Sequence, residues 1–312
     1  MRILEVGPRD GLQNEKTILT LDQREFLIQK LLESGLSDIE IGSFVKADSI
    51  PQLANTYELA KKIVPYKKKK FPQKKLWAFV PNEKGLERAL ETQIDGVSFF
   101  CAVSETFTQK NINRNFIELK TLLTNLKHLL PKKFPNRVYL STLVYCPFEG
   151  IIKPTQVFKW IDFLLDLGFE EIALSDTTGH AHTENLKPIF KKIARSYKFK
   201  NFALHFHDTR GTALLNTYVA LKEGFQKFDS SLGGLGGCPY APGATGNLAT
   251  EDLLYLLQSK GKIKNISLSK LTETSFLLEK YLGKALPCRI LQTIRCGQEN
   301  INKDSSHEPC SS

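Results

Sequence analysis

Eight short runs of β-branched and aromatic residues recur along the chain: RILEV (2–6), DIEIG (38–42), LWAFV (76–80), DGVSFF (95–100), RVYLSTLV (137–144), EIALS (171–175), FALHF (202–206) and FDSSL (228–232). Between them, apolar residues return at helical spacing. In 21–34, Leu27, Ile28, Leu31 and Leu32 share one face, Thr20 with Gln23 makes a capping box, and Gly35 ends the helix. The same spacing predicts helices over 51–64, 83–92, 114–129, 154–167, 184–196, 211–223 and 247–258, with Pro154 in a first turn. Strand and helix alternating eight times within about 260 residues predict an α/β fold, a (β/α)8 TIM barrel. An open doubly wound sheet fits less well, because no glycine-rich dinucleotide fingerprint follows the first strand. The expected division is a catalytic barrel over 1–260 and a C-terminal helical extension over 261–312. That extension holds one more helix at 270–283 and, from Gly297, a polar tail expected to be poorly ordered.

Composition adds exclusions. A 312-residue chain with 41% hydrophobic and 24% charged residues has the make-up of a globular protein. No apolar run approaches the roughly 20 residues of a membrane helix, so no membrane partner is expected. The strand beginning at residue 2 leaves no room for a signal or transit peptide, and the expected location is cytoplasmic. Six scattered cysteines without a CxxC pair argue against a disulfide framework or a structural zinc site. The net charge of +10 is mostly lysine, and KKIVPYKKKKFPQKK (61–75) holds eight of them. No stacking aromatics and no recognition motif accompany the run. It is read as a solvated connection on the face opposite the active site, and no nucleic-acid partner is expected.

The barrel assignment sorts the polar residues, because active sites of such barrels lie at the C-terminal ends of the strands. The first strand delivers Arg9 and Asp10, the second contains Glu40, the sixth ends in Asp176, and the seventh carries His205 and His207. Residues i and i+2 of a strand point the same way, so the two imidazoles face one centre. Two histidines and a carboxylate suit a divalent metal with open positions, and Asp10 on the neighbouring first strand supplies the carboxylate. Asn247 offers a fourth, uncharged oxygen. Mixed nitrogen and oxygen ligation fits Mg2+ or Mn2+, with zinc as an alternative. Arg9 is a fixed cation beside the metal, free to stabilise an enolate or to pair with Glu40 or Asp176. His180 and His182 share the HxH spacing but fall in a loop, where the facing argument fails; they are read as surface residues. GGLGGCPYAPGATGN (233–247) sets Cys238 among six glycines, the composition of a loop that closes over a ligand and carries a thiol with it, as nucleophile or proton donor.

These residues match a known family. EVGPRDGLQNEK, SETFTQKNIN (104–113), CPFEG (146–150), HFHDTRGTALLNT and GLGGCPYAPGATGNLATEDLLYLL together resemble the 3-hydroxy-3-methylglutaryl-CoA (HMG-CoA) lyases of the metal-dependent lyase and synthase barrels. The resemblance implies metal ligation by Asp10, His205 and His207 with Asn247 at or near the ion. It implies enolate stabilisation by Arg9, and protonation by Cys238 in the lid. Glu40 and Asp176 would be acidic residues of the site, and Gln13, Ser43 and Thr177 would be substrate-side positions. The implied reaction is a retro-Claisen cleavage of HMG-CoA to acetoacetate and acetyl-CoA, as in leucine breakdown and ketone-body formation. A homodimer or other homo-oligomer would carry it out. The chain departs from the family after SFV, with KADSIPQ in place of a Pro-Lys-Trp stretch, and at SDTTGHAH, where GDTIG is usual. The competing readings are a related acyl-CoA lyase, a metal-dependent aldolase or condensing enzyme of the same superfamily, and, more remotely, a non-catalytic barrel that binds nucleic acid.

Overall fold

The computed structural model describes residues 1–237 and 246–304, with side chains through 297. Strands β1 (Arg2–Glu5), β2 (Asp38–Ser43), β3 (Lys75–Phe79), β4 (Gly96–Ala102), β5 (Asn136–Ser141), β6 (Glu171–Asp176), β7 (Phe202–Phe206) and β8 (Lys227–Ser230) are all parallel. β1 pairs with both β2 and β8, which closes the sheet into a TIM barrel. Helices α1 (Leu21–Glu33), α2 (Thr56–Lys70), α3 (Glu83–Glu91), α4 (Glu105–Ile112), α5 (Phe116–Leu129), α6 (Pro154–Asp166), α7 (Thr183–Ser196), α8 (Ala213–Glu223) and α9 (Thr250–Ser259) surround it.

Period-two alternation in the strands divides apolar from polar. Ile39, Ile41, Val97, Phe99, Val138, Leu140, Ile172, Leu174, Leu204 and Phe206 join the main core between sheet and helices. Their neighbours Glu40, Ser98, Arg137, Tyr139, Glu171, Ser175, His205 and Asp229 are buried on the other face, inside the barrel. Inward groups of this kind must pair, since an unpaired buried charge is costly.

Three elements differ from the sequence expectation. α2 begins at Thr56, after a single 3-10 turn at Pro51–Leu53, and runs through Pro65 to Lys70. The last turn survives the proline because Lys67 is buried in an ion pair with Asp95 at 2.7 Å. Six of the eight lysines in the run are thus helical rather than part of a solvated connection, and the run feeds the N-terminal end of β3. α4 carries no long apolar face; it is set by its caps, with Ser104 Oγ accepting from the Phe107 amide and Asn113 in the left-handed region at φ 53°. Beyond the barrel, α10 (Leu268–Leu282) packs on α1, and a further helix, α11, runs Arg289–Asp304 across the segment expected to be a loose tail.

Two buried carboxyls outside the barrel tie the ends of β1 and β8 together. Glu5 accepts from the amides of Gly7 (2.7 Å) and Leu232 (2.8 Å) and from the Thr250 hydroxyl (2.5 Å). Glu251 accepts from the Gly233 amide and the Ser275 hydroxyl. Burial pushes both carboxyls up to about 7, against the lowering effect of these hydrogen bonds. The fold therefore holds protons that the unfolded chain releases near 4.5, and the stability they contribute is complete below that pH and lost as pH rises through 7. In Glu5→Gln the amide imitates the protonated acid. Relative to the parent, the variant is expected to gain about 2–3 kcal/mol between pH 5 and 8.5 in urea unfolding. Parallel pH curves for the two proteins would contradict this.

Candidate active site

The C-terminal ends of the strands open on a cavity of about 560 Å³, whose lining includes Arg9, Asp10, Gln13, Ser43, Thr177, His205 and His207. After β1 the chain enters a single tight turn, Gly7–Gly11, in which the amides of Arg9, Asp10 and Gly11 all donate to the Val6 carbonyl (3.1, 2.7 and 3.2 Å). Three donors on one oxygen fix the turn and present two successive side chains at the barrel mouth. His205 is the inward residue at the end of β7, and His207 follows it two positions on. Residues 246–249 return beside β7 and β8: His207 bridges Asn247, Ser231 bridges Ala249, and the Leu248 amide donates to the Phe206 carbonyl at 3.0 Å. The glycines make this fit. A Cβ on Gly246 would sit 2.1 Å from the Gly234 carbonyl oxygen, and one on Gly236 2.5 Å from Asn247 Nδ2.

At the floor, His205 Nε2 lies 3.3 Å from His207 Nε2 and 3.7 Å from Asp10 Oδ2. Asn247 Nδ2 donates to Asp10 Oδ2 at 2.9 Å, while Asn247 Oδ1 is buried without a partner. Burial, then the neighbouring His205, push His207 down to about 4, so its ring is neutral at physiological pH. Burial alone would raise Asp10; the fields of Arg9, His205 and His207 outweigh it and hold the carboxylate at about 2. A neutral imidazole, an ionised carboxylate and an orphaned amide oxygen are the donor set a divalent cation requires. One ligand atom from each of Asp10, His205 and His207 lies within 4.8 Å of the others, so the residues present fit such an ion.

Arg9 is 6% exposed and held on three sides. Its Nε donates to Glu40 Oε2 at 2.5 Å, its Nη1 to Asp10 Oδ1 at 2.7 Å, and its guanidinium lies 4.7 Å from the Phe79 ring centre and 4.9 Å from that of Tyr139. Burial would lower the guanidinium pKa; the charges of Glu40 and Asp10 reverse that and keep it permanently charged. Glu40 also accepts from the Tyr139 hydroxyl at 3.0 Å and from Ser98. Arg9 thus pairs with Glu40 and not with Asp176.

A family model described as HMGL-like matches residues 1–278. The chain belongs to the HMGL-like family. The hydroxymethylglutaryl-CoA lyase of Bacillus subtilis is 41% identical over 294 residues, covering 94% of this chain and 97% of the relative. The crystal structure of the Bacillus subtilis HMG-CoA lyase aligns with TM-score 0.90 at 40% identity, over 94% of this chain and 97% of that one. An HMG-CoA lyase from Acinetobacter baumannii, solved with coenzyme A and 3-methylmalate, aligns at 0.88 and 34% identity over 94% of both chains.

In this HMGL-like chain the residues expected at the site fall into three groups. Arg9, Asp10, Gln13, Ser43, Thr177, His205 and His207 line the cavity. Glu40 and Asn247 stand behind them, holding Arg9 and Asp10. Asp176 does not reach the cavity. It follows inward Ser175, so the period-two rule turns its carboxylate outward, where it accepts from the His180 and Ala181 amides (3.0 and 2.8 Å) and burial pushes it up to about 6. Through these two bonds it shapes the loop that follows β6. Cys238 lies outside the described residues. His182 is exposed as expected; His180 is half-buried, stacked on Tyr145 at 3.9 Å. Ser43 Oγ is buried without a partner. Thr177 Oγ1 accepts the amide of Thr142, a β-branched residue in the left-handed region at φ 57°. Sequence reading missed Ser98, Tyr139, Arg137 and Asp229, all inward-facing; counting alternate residues along each strand would have found them.

Proposed function

We propose that this chain cleaves HMG-CoA to acetoacetate and acetyl-CoA by a retro-Claisen reaction assisted by Mg2+ or Mn2+, as a homodimer or other homo-oligomer in the cytoplasm. The observation that carries the reading is the placing of a permanently charged, cavity-facing arginine beside a three-residue metal set, in a chain that matches lyases almost end to end. A divalent ion held by Asp10, His205 and His207, with Asn247 beside them, would supply Lewis-acid polarisation of substrate oxygens. The C3 hydroxyl proton passes to Asp10 or to an imidazole of the set. C–C scission leaves an acetyl-CoA enolate, whose oxygen the Arg9 guanidinium stabilises. Cys238 then protonates the enolate carbon. Gly237, the last residue described before that thiol, lines the cavity. Among the described residues no helix is long and apolar enough to cross a membrane.

The test is acetoacetate release from HMG-CoA with Mg2+ or Mn2+, expected to vanish with EDTA and to return when metal is restored. Cys238→Ser is expected to lower kcat by about 10²–10⁴, the range for loss of a general acid, with Mn2+ affinity unchanged. Full turnover in the serine variant would remove the thiol from the mechanism.

A further inference from the structure

Barrel interiors are usually filled with branched apolar side chains, yet beneath the metal set this one holds a column of paired charge. His205 Nδ1 lies 3.2 Å from Asp229 Oδ2. Both Asp229 oxygens accept from Arg137 Nη2 at 2.9 Å. Arg137 Nε lies 3.1 Å from Glu171 Oε1, and Glu171 in turn pairs with Arg2 and with Lys227 Nζ at 2.7 Å. The side chains of Arg137 and Asp229 are fully shielded from solvent. The Tyr139 ring meets His205 edge-on, 5.6 Å between centres at 82°. A buried ion pair is a poor means of stabilising a core, since apolar packing of equal volume does as well or better. Its position against the far nitrogen of a metal-facing histidine points to a different purpose.

We propose that Asp229 is a positioning residue. It accepts the Nδ1 proton of His205 and so turns the bare Nε2 toward Asp10 and His207, while Arg137 keeps the carboxylate from rotating away and Tyr139 fixes the ring plane. A carboxylate in this place selects one tautomer and strengthens the other nitrogen as a ligand. The inference rests on reading Asp10, His205 and His207 as a metal centre, and not on the substrate.

The experiment uses the full chain at neutral pH. In the metal-free protein, ring-nitrogen chemical shifts of His205 are expected to show a proton on Nδ1. In Asp229→Asn the amide keeps its carbonyl on Arg137 and offers N–H to the ring. The proton is then expected on Nε2, with Mn2+ affinity by calorimetry falling about ten- to hundredfold while near-UV circular dichroism stays that of the parent. A wild-type ring with no proton on Nδ1 overturns the proposal whether or not the variant folds. So does a folded Asp229→Asn that binds Mn2+ like the parent. Wild-type protein that binds no Mn2+ overturns the metal reading and this inference together. Affinity that falls with Asp229→Asn in a protein inactive on HMG-CoA supports the positioning role and overturns only the substrate.

Discussion

Arg9→Met is expected to fail twice, losing about 10³ or more in kcat and about 3–5 kcal/mol in stability. The two losses have different origins. Stability falls because Glu40, 0% exposed, loses the guanidinium that donates to it, and its remaining donors are the neutral hydroxyls of Tyr139 and Ser98. Turnover falls because, among the described residues, the only cavity-lining cation that also touches the metal set, through Asp10 Oδ1, is gone. Adding Glu40→Gln separates them. The double variant needs no buried counter-charge and is expected to recover most of the stability by urea unfolding, while acetoacetate release stays at the single variant's level. Recovery of both would make Arg9 a structural partner of Glu40 and no more. Arg9→Lys should fall between, because an ammonium is a point charge and cannot serve Glu40 and Asp10 through a fork spanning 2.5 and 2.7 Å contacts.

Arg9, Asp10, His205 and His207 were legible from the chain because each follows from one local rule: strand ends face the site, and i and i+2 share a side. The barrel itself was legible because short β-rich runs alternate eight times with segments of helical periodicity along the chain. What escaped depends on partners remote in sequence. α2 continues past Pro65 because Asp95 is there to take Lys67, and no local pattern announces that pair. α4 rests on caps and on its place against the cavity, where Phe107 and Asn111 are part of the wall. Asp176 was legible as an acid at a strand end, but the direction of its carboxylate was not. Its neighbour Ser175 pairs in register with inward His205, so Asp176 has to point the other way. Asp229 went unnoticed because FDSSL looks like an ordinary short strand until His205 and Arg137 are brought to it.

His207→Ala should cost more in metal affinity than any other single change at the site except loss of Asp10 or His205. Binding of a divalent ion by a small ligand set is worth on the order of 10 kcal/mol, so one ligand in three or four accounts for about 3 kcal/mol, or roughly two orders of magnitude in Kd. The ring also has little else to do. Its Nδ1 is buried without a partner, and its Nε2 faces only His205 among the described residues, so removing it breaks no protein hydrogen bond that the fold needs. Stability of the metal-free protein is therefore expected to move far less than metal affinity, and Mn2+ titration set beside urea unfolding would show the split. Asn247→Ala is the comparison. It leaves the two rings and Asp10 in place, removing the amide that donates to Asp10 at 2.9 Å together with the orphaned Oδ1. A tenfold loss, smaller than for His207, is the expectation for a neutral ligand or a group acting through Asp10. Equal Mn2+ affinity in wild type and His207→Ala would mean that two nitrogens 3.3 Å apart at the floor of this cavity are not a metal site.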